Sequence, residues 1–178
     1  PLGDLLLLHD RMFDLLDQPI SLGEPDTPTE LPAGPCTIAF EKVWFRYSDE
    51  GDWVLRDLSF VCPAGEHWAL VGPTGSGKTT IMSLLLRFYD PVQGRIVLDG
   101  VDTREMSLGA LRQRIGIVPQ DAVIFSNSAM ENIRYGKPTA TNAEVLAAAQ
   151  SAFADEFITA LPDGYNTFLG ERGLRLSG

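Results

Sequence analysis

Residues 72–79, Gly72-Pro73-Thr74-Gly75-Ser76-Gly77-Lys78-Thr79, fulfil the pattern GxxxxGK[ST], and few stretches of eight residues restrict a fold as much. The glycines let the backbone wrap so that successive N–H groups point inward, a shape suited to phosphate oxygens. An apolar run, HWALVG over 67–72, leads into the loop, and KTTIMSLLLRFY over 78–89 leads out of it. This context predicts a strand before the loop and a helix after it, whose first turn adds the positive end of a helix dipole. Lys78 is then placed to reach the β and γ phosphates of a nucleotide, and the Thr79 hydroxyl to bind Mg²⁺. At average residue frequencies chance yields such a pattern in about one chain of this length in a hundred or fewer.

Composition removes several function classes. The chain has 178 residues, 44% hydrophobic and 21% charged, which is the profile of an ordinary globular domain with an appendage. No stretch approaches the ~20 apolar residues that a bilayer span requires; the longest early run is Leu5 to Leu8. The net charge of -10 argues against a nucleic-acid partner, whose phosphates need basic side chains. Residues 1–34 hold seven acidic side chains and one basic, so the acidity is concentrated in the appendage. Cys36 and Cys62 have no CxxC or Cys/His neighbours and are read as reduced thiols of a cytosolic protein. The opening at Pro1, without Met or a basic-then-apolar leader, fits a piece of a longer chain.

Periodicity divides the chain in three. Over 1–17, Leu5, Leu8, Met12, Leu15 and Leu16 share one face at helical spacing, which predicts an amphipathic helix. Residues 18–35 carry five prolines and two glycines and are expected to form a stiff linker. A domain is expected over 36–178. Its first part alternates strand-like runs (CTIAFEKVWFRY, LSFVC, HWALVG, GRIVLDG, RIGIVPQ) with helices at 78–89 and about 107–112. From about Ser128 the pattern turns helical, above all in TNAEVLAAAQSAFADEFITAL, where Thr141 or Asn142 can cap.

Competing readings of these residues fail. GSGKTT lacks the third glycine of a dinucleotide fingerprint, and no NKxD guanine motif is present. His9 and His67 stand isolated and read as surface or strand-edge histidines.

The chain resembles the ATP-binding cassette (ABC) proteins, and among them the nucleotide-binding domain of exporter-type transporters. VWFRY (43–47) looks like the strand whose aromatic, Tyr47, stacks on adenine, with Val54 packing nearby. IVPQD resembles the Q-loop, IFSNSAMENIRYG the opening of the helical subdomain, and GERG (170–173) the exporter loop before the LSGGQ signature, of which Leu176, Ser177 and Gly178 are present. Ser128-Ala129-Met130 departs from the usual wording there without touching the phosphate loop.

The resemblance implies an α/β fold, a P-loop NTPase core with an antiparallel β flank and a partial helical subdomain. It implies ATP and Mg²⁺ as ligands. The nucleotide contacts would be Tyr47, Val54, Thr74, Gly75, Ser76, Gly77, Lys78, Thr79, Thr80 and Gln120, with Ser177 and Gly178 serving the nucleotide of a second nucleotide-binding domain. Lys78 and Gln120 would be catalytic, and Thr79 and Gln120 would hold the metal. In the family the Walker B aspartate, the catalytic glutamate and the switch histidine follow the signature. The 178-residue chain alone is therefore expected to bind ATP without turnover. Asp99, at the end of an apolar run but followed by Gly100, is not read as a Walker B residue. The implied partners are a transmembrane domain, reached through the N-terminal helix, and a second nucleotide-binding domain, at the cytoplasmic face of a membrane. A soluble ABC protein acting on nucleic acid fits the acidic charge and the GERG loop less well.

Overall fold

The computed structural model describes residues 22–31, 33–119 and 123–170. Two compact units divide at Gly116 and Ile117. The amphipathic helix expected over 4–17 lies outside the described residues.

The first unit is built on an antiparallel sheet of order β2-β1-β3-β4, with β1 Ile38–Phe45, β2 Leu55–Cys62, β3 Gln93–Leu98 and β4 Val101–Asp102. Strict alternation would put Phe40 and Val43 on opposite faces of β1. Both are buried, because a register shift lies between them against β2 and Lys42 takes a left-handed φ of 49°. Such a bulge resets the inward parity. Helix α1, Lys78–Leu85, buries Thr80, Ile81, Leu84 and Leu85 along one face and shares a core with Phe40, Val43, Phe45, Leu55, Ile96 and Leu98. It ends four residues before the sequence pattern does, since Arg87 turns left-handed at φ 50°. Helix α2, Leu108–Gln113, starts at Ser107, whose side chain accepts from the Ala110 amide at 3.1 Å, and adds Leu111 to the core.

Two expected strands do not form. Residues 67–72 and 114–119 carry no strand, although their composition suits one. Apolar runs of this kind describe strands buried on both faces, and a ladder needs a partner on at least one edge. Among the described residues none pairs with either run, and Val71 and Val118 are left 89% and 98% exposed.

The proline-rich segment has no regular structure, yet its described part is bonded to the first unit. The Leu108 amide donates to Glu24 Oε1 at 2.9 Å and the Thr29 amide to the Glu105 carbonyl at 2.8 Å. Arg87 Nη2 reaches the Gly23 carbonyl at 2.7 Å, Arg114 Nη2 the Gly34 carbonyl at 2.8 Å, and Leu31 packs on the core.

The second unit is mostly helical: α3 Ala129–Arg134, α4 Asn142–Ser151 and α5 Asp155–Thr159, with β5 Asn127–Ser128 paired to β6 Phe168–Leu169. Ala129, Ala149, Ile158 and Leu169 form its own core. The long alanine-rich stretch breaks into α4 and α5 at Phe153, whose φ is 55°. Thr141 caps α4 in a capping box with Glu144. Cys36 and Cys62 are both free.

Two measurements test this architecture. Gly94 has φ +79°, and a Cβ there would lie 2.3 Å from the Lys42 carbonyl oxygen and 2.4 Å from that of Glu41. Gly94→Ala should therefore cost about 2–3 kcal/mol in urea unfolding. The Lys137 ammonium, 2.7 Å from Glu144 Oε1, and the Thr141 amide and hydroxyl hold the Glu144 carboxyl down at about 2 from an ordinary 4.5. A depressed carboxylate stabilises the folded state above its unfolded value and loses that contribution as pH falls through the folded one. Glu144→Gln should remove the part of the acid-induced loss that falls between pH 4.5 and 2, read as a flatter urea midpoint against pH.

Candidate functional site

The loop over 72–79 owes its shape to glycine backbone and to lysine. Gly75 and Gly77 are left-handed at φ 84° and 87°, and Gly72 stands at φ 157°. At Gly77 a Cβ would lie 2.8 Å from Leu55 Cδ2. The Ser76 amide donates to the Pro73 carbonyl at 3.3 Å. Lys78 Nζ folds back across the loop and donates to the carbonyls of Gly72 and Pro73, both at 2.8 Å, and to Ser76 Oγ at 3.3 Å.

Gly77 is also the N-cap of α1. It supplies no side-chain cap, and no acidic residue stands in the first turn. The first helical amides have no partner within a helix, so the positive helix end and the Lys78 ammonium converge on one place, with no carboxylate among the described residues that line it.

Tyr47 lies just beyond the end of β1. Its hydroxyl shares a 3.0 Å hydrogen bond with Thr80 Oγ1 in the first turn of α1. Its ring stands nearly perpendicular to those of Phe45, at 4.9 Å, and Tyr89, at 5.2 Å. More than half of Tyr47, 55%, remains exposed. Packing thus fixes the ring without burying it, leaving an aromatic surface open to a flat ligand.

Tyr47, Val54, Thr74, Gly75, Gly77, Lys78, Thr79 and Thr80 line a single cleft of about 450 Å³. Ser76 belongs to the loop but not to the cleft wall. Gln120, Ser177 and Gly178 lie outside the described residues. Asp99 stands apart from the cleft, accepting from the Thr37 amide at 2.7 Å at the end of β3. The sequence alone does not single out two residues of the neighbourhood, Tyr89, whose ring packs on Tyr47, and the buried Arg87, because their contacts depend on the turn after α1 and neither belongs to a local pattern.

A larger concavity, about 980 Å³, lies over the sheet beside Trp44, Phe60 and Arg95. Its Arg95 is already paired with Glu41 at 2.6 Å, which holds Arg95 above its ordinary value. It lacks a loop of converging amides, so the smaller cleft has the stronger chemistry. Among the described residues no group of three or more His, Cys, Asp or Glu side chains is arranged to hold a metal, and no helix is long and apolar enough to cross a membrane.

Comparison with known proteins decides the lineage. Residues 55–178 match the family described as ABC transporter. The chain belongs to that family. It is 43% identical over 174 residues to the mitochondrial iron-sulfur clusters transporter ATM1 of Kluyveromyces lactis, covering 97% of this chain and 24% of that protein. It is 47% identical over 169 residues to human ATP-binding cassette sub-family B member 6, covering 95% and 20%. A solved structure of a bacterial Atm1-family ABC exporter with ATP bound superimposes with a TM-score of 0.84 at 44% identity, covering 97% of this chain and 30% of that one. The chain spans about a quarter of the length of the curated relatives it matches.

This ABC domain has the α/β P-loop NTPase fold, and its antiparallel sheet is the β flank of that fold. Membership in the family makes it a nucleotide-binding domain. The loop geometry can be tested without a ligand: Gly77→Ala places a side chain at φ +87° against Leu55 and should lower unfolding stability by about 1–3 kcal/mol. Urea titration followed by circular dichroism measures it.

Proposed function

We infer that the chain is the ATP-binding part of the ATPase of an ABC exporter, the engine that powers export of a substrate across a membrane. One observation carries this reading: a single cleft joins the open ring of Tyr47 to the glycine loop and Lys78. An adenine base and a triphosphate are what such a pair of surfaces fits, the ring taking the base by stacking and the amides and ammonium taking the phosphates.

Within that reading Tyr47 and Val54 hold the base. Thr74, Gly75, Ser76, Gly77, Lys78, Thr79 and Thr80 hold the phosphates. The Thr79 hydroxyl on the cleft wall is a hard oxygen donor and fits Mg²⁺, with Gln120 as the second protein ligand. When bound, the cation neutralises phosphate charge. Lys78 steadies the transferred group, and Gln120 orients the attacking water.

On this reading residues 1–17 continue from a transmembrane domain, 18–35 make the connection, and 36–178 are the nucleotide-binding domain, its helical part starting at about 128. Ser177 and Gly178 complete the site of a second nucleotide-binding domain, and the assembly works at the cytoplasmic face of a membrane. The name of the human relative, ATP-binding cassette, and the ATP in the bacterial exporter structure support ATP as the nucleotide.

The 178-residue chain alone is taken to bind ATP without turnover, the carboxylates that the family uses for hydrolysis following the signature. Missing one preorganised polar group costs such a site about 10²–10³ in rate. Calorimetry should show MgATP binding that Lys78→Ala weakens about 10- to 100-fold, the worth of charge-assisted bonds to phosphate. Unchanged affinity in that variant would rule the phosphate reading out, and steady ATP hydrolysis by the chain alone would rule out the absence of turnover.

A further inference from the structure

We propose that Tyr89 is a positioning residue for the nucleotide base: it touches no ligand and acts by holding the ring of Tyr47 in place over the cleft. This rests on the adenine reading of Tyr47 given above.

Tyr89 does not line the cleft. Its ring centroid lies 5.2 Å from that of Tyr47 at 86°, and 5.5 Å from that of the buried Phe45. Tyr47 lies just past the end of a strand and is half exposed, so its side chain would otherwise be free to sample several rotamers. Edge-to-face packing against two rings removes that freedom before any ligand arrives, and preorganisation of this kind raises affinity without adding a contact to the ligand.

The support is itself rigid. Tyr89 sits in the turn that follows α1, two residues after Arg87. Arg87 is 2% exposed, and its guanidinium binds Asp90 through Nε at 2.8 Å and Nη2 at 3.3 Å. Arg112 clamps the same turn from α2, donating to the carbonyls of Leu86 at 3.1 Å and Arg87 at 2.9 Å. The Val92 amide closes the turn on the Trp44 carbonyl at 3.0 Å. Tyr47 is therefore tied to α1 twice, through its hydroxyl to Thr80 near the start of the helix and through its ring to Tyr89 beyond its end. The helix whose first turn meets the phosphates thereby also sets the position of the base.

The test compares ligands with and without a base. Calorimetry on the chain with MgATP and with magnesium tripolyphosphate separates the two halves of the cleft. Tyr89→Ala should weaken MgATP about 3- to 10-fold, the range of one aromatic pair, leave tripolyphosphate unchanged, and cause no further loss in a Tyr47→Ala background. Tyr89→Phe, which keeps the ring, should bind as the parent does. Tyr89→Leu, which keeps bulk without the ring, should behave as Tyr89→Ala and serves if the alanine variant does not fold.

Equal loss on both ligands, or a loss that adds fully to that of Tyr47→Ala, would make Tyr89 merely structural and overturn the proposal. Unchanged MgATP affinity in Tyr89→Ala and Tyr89→Leu overturns it as well, while a loss in Tyr47→Ala keeps the adenine reading standing. If Tyr47→Ala itself binds MgATP as the parent does, the adenine reading fails and takes this proposal with it.

Discussion

The turn at Gly77 is where phosphate chemistry and fold meet. Helices α2, α3 and α4 each begin at a serine or threonine whose side chain accepts from an early amide, the usual way of satisfying orphan donors. Helix α1 begins at a left-handed glycine with no side chain to offer. A residue with a capping oxygen would occupy the amides that an anion needs, and any side chain at that φ would be strained and pressed on Leu55. The cost of an uncapped helix is offset elsewhere, by the apolar face that α1 buries against the sheet. A helix end without a side-chain cap is thus tolerated because the rest of the helix is well packed.

The other end of α1 is secured by charge. Burying a guanidinium is unfavourable unless its donors are satisfied. Arg87 meets that condition with Asp90 and with the carbonyls of Gly23, Thr103 and Met106. Those partners come from three separate stretches of chain, so one side chain fixes the turn after α1, the connection after β4 and the proline-rich segment together. The described residues of the proline-rich segment accordingly belong to the first unit in their bonding. Proline and glycine remove regular structure; they do not remove hydrogen-bond acceptors or leucines.

What could be read from sequence was what is local. The phosphate loop, the helix after it, the strands from CTIAFEKVWF, LSFVC and GRIVL, and a cap at Thr141 or Asn142 all follow from spacing within a dozen residues. Tyr47 came from resemblance to a family, since a tyrosine at the end of a strand carries no local mark of its use. What escaped depends on residues far apart in the chain. The bulge at Lys42 shows only in the pairing of β1 with β2 and with β3, the latter more than fifty positions away, and the turn at Arg87 that ends α1 depends on carbonyls from Gly23 to Met106. The break at Phe153 requires a left-handed phenylalanine, which no propensity scale favours. Gln120, Ser177 and Gly178 remain where resemblance put them, outside the described residues.

The strands that did not form show what kind of support the phosphate loop needs. The antiparallel sheet finds every ladder partner within residues 38–102, so it is self-sufficient. The apolar run before the loop has no such partner among the described residues. The loop nevertheless keeps its curvature, because its own contacts hold it: Ser76 to Pro73, Lys78 to Gly72 and Pro73, and the Gly77 backbone close against Val54 and Leu55. Two of those supports, Val54 and Leu55, come from the start of β2, and Tyr47, which lines the same cleft, comes from just beyond the end of β1. The β flank therefore supplies one wall of the cleft and the floor beneath its loop, while α1 supplies the charge. These two elements touch at Thr80 and Tyr47, whose hydroxyls share a hydrogen bond that joins the β flank to α1.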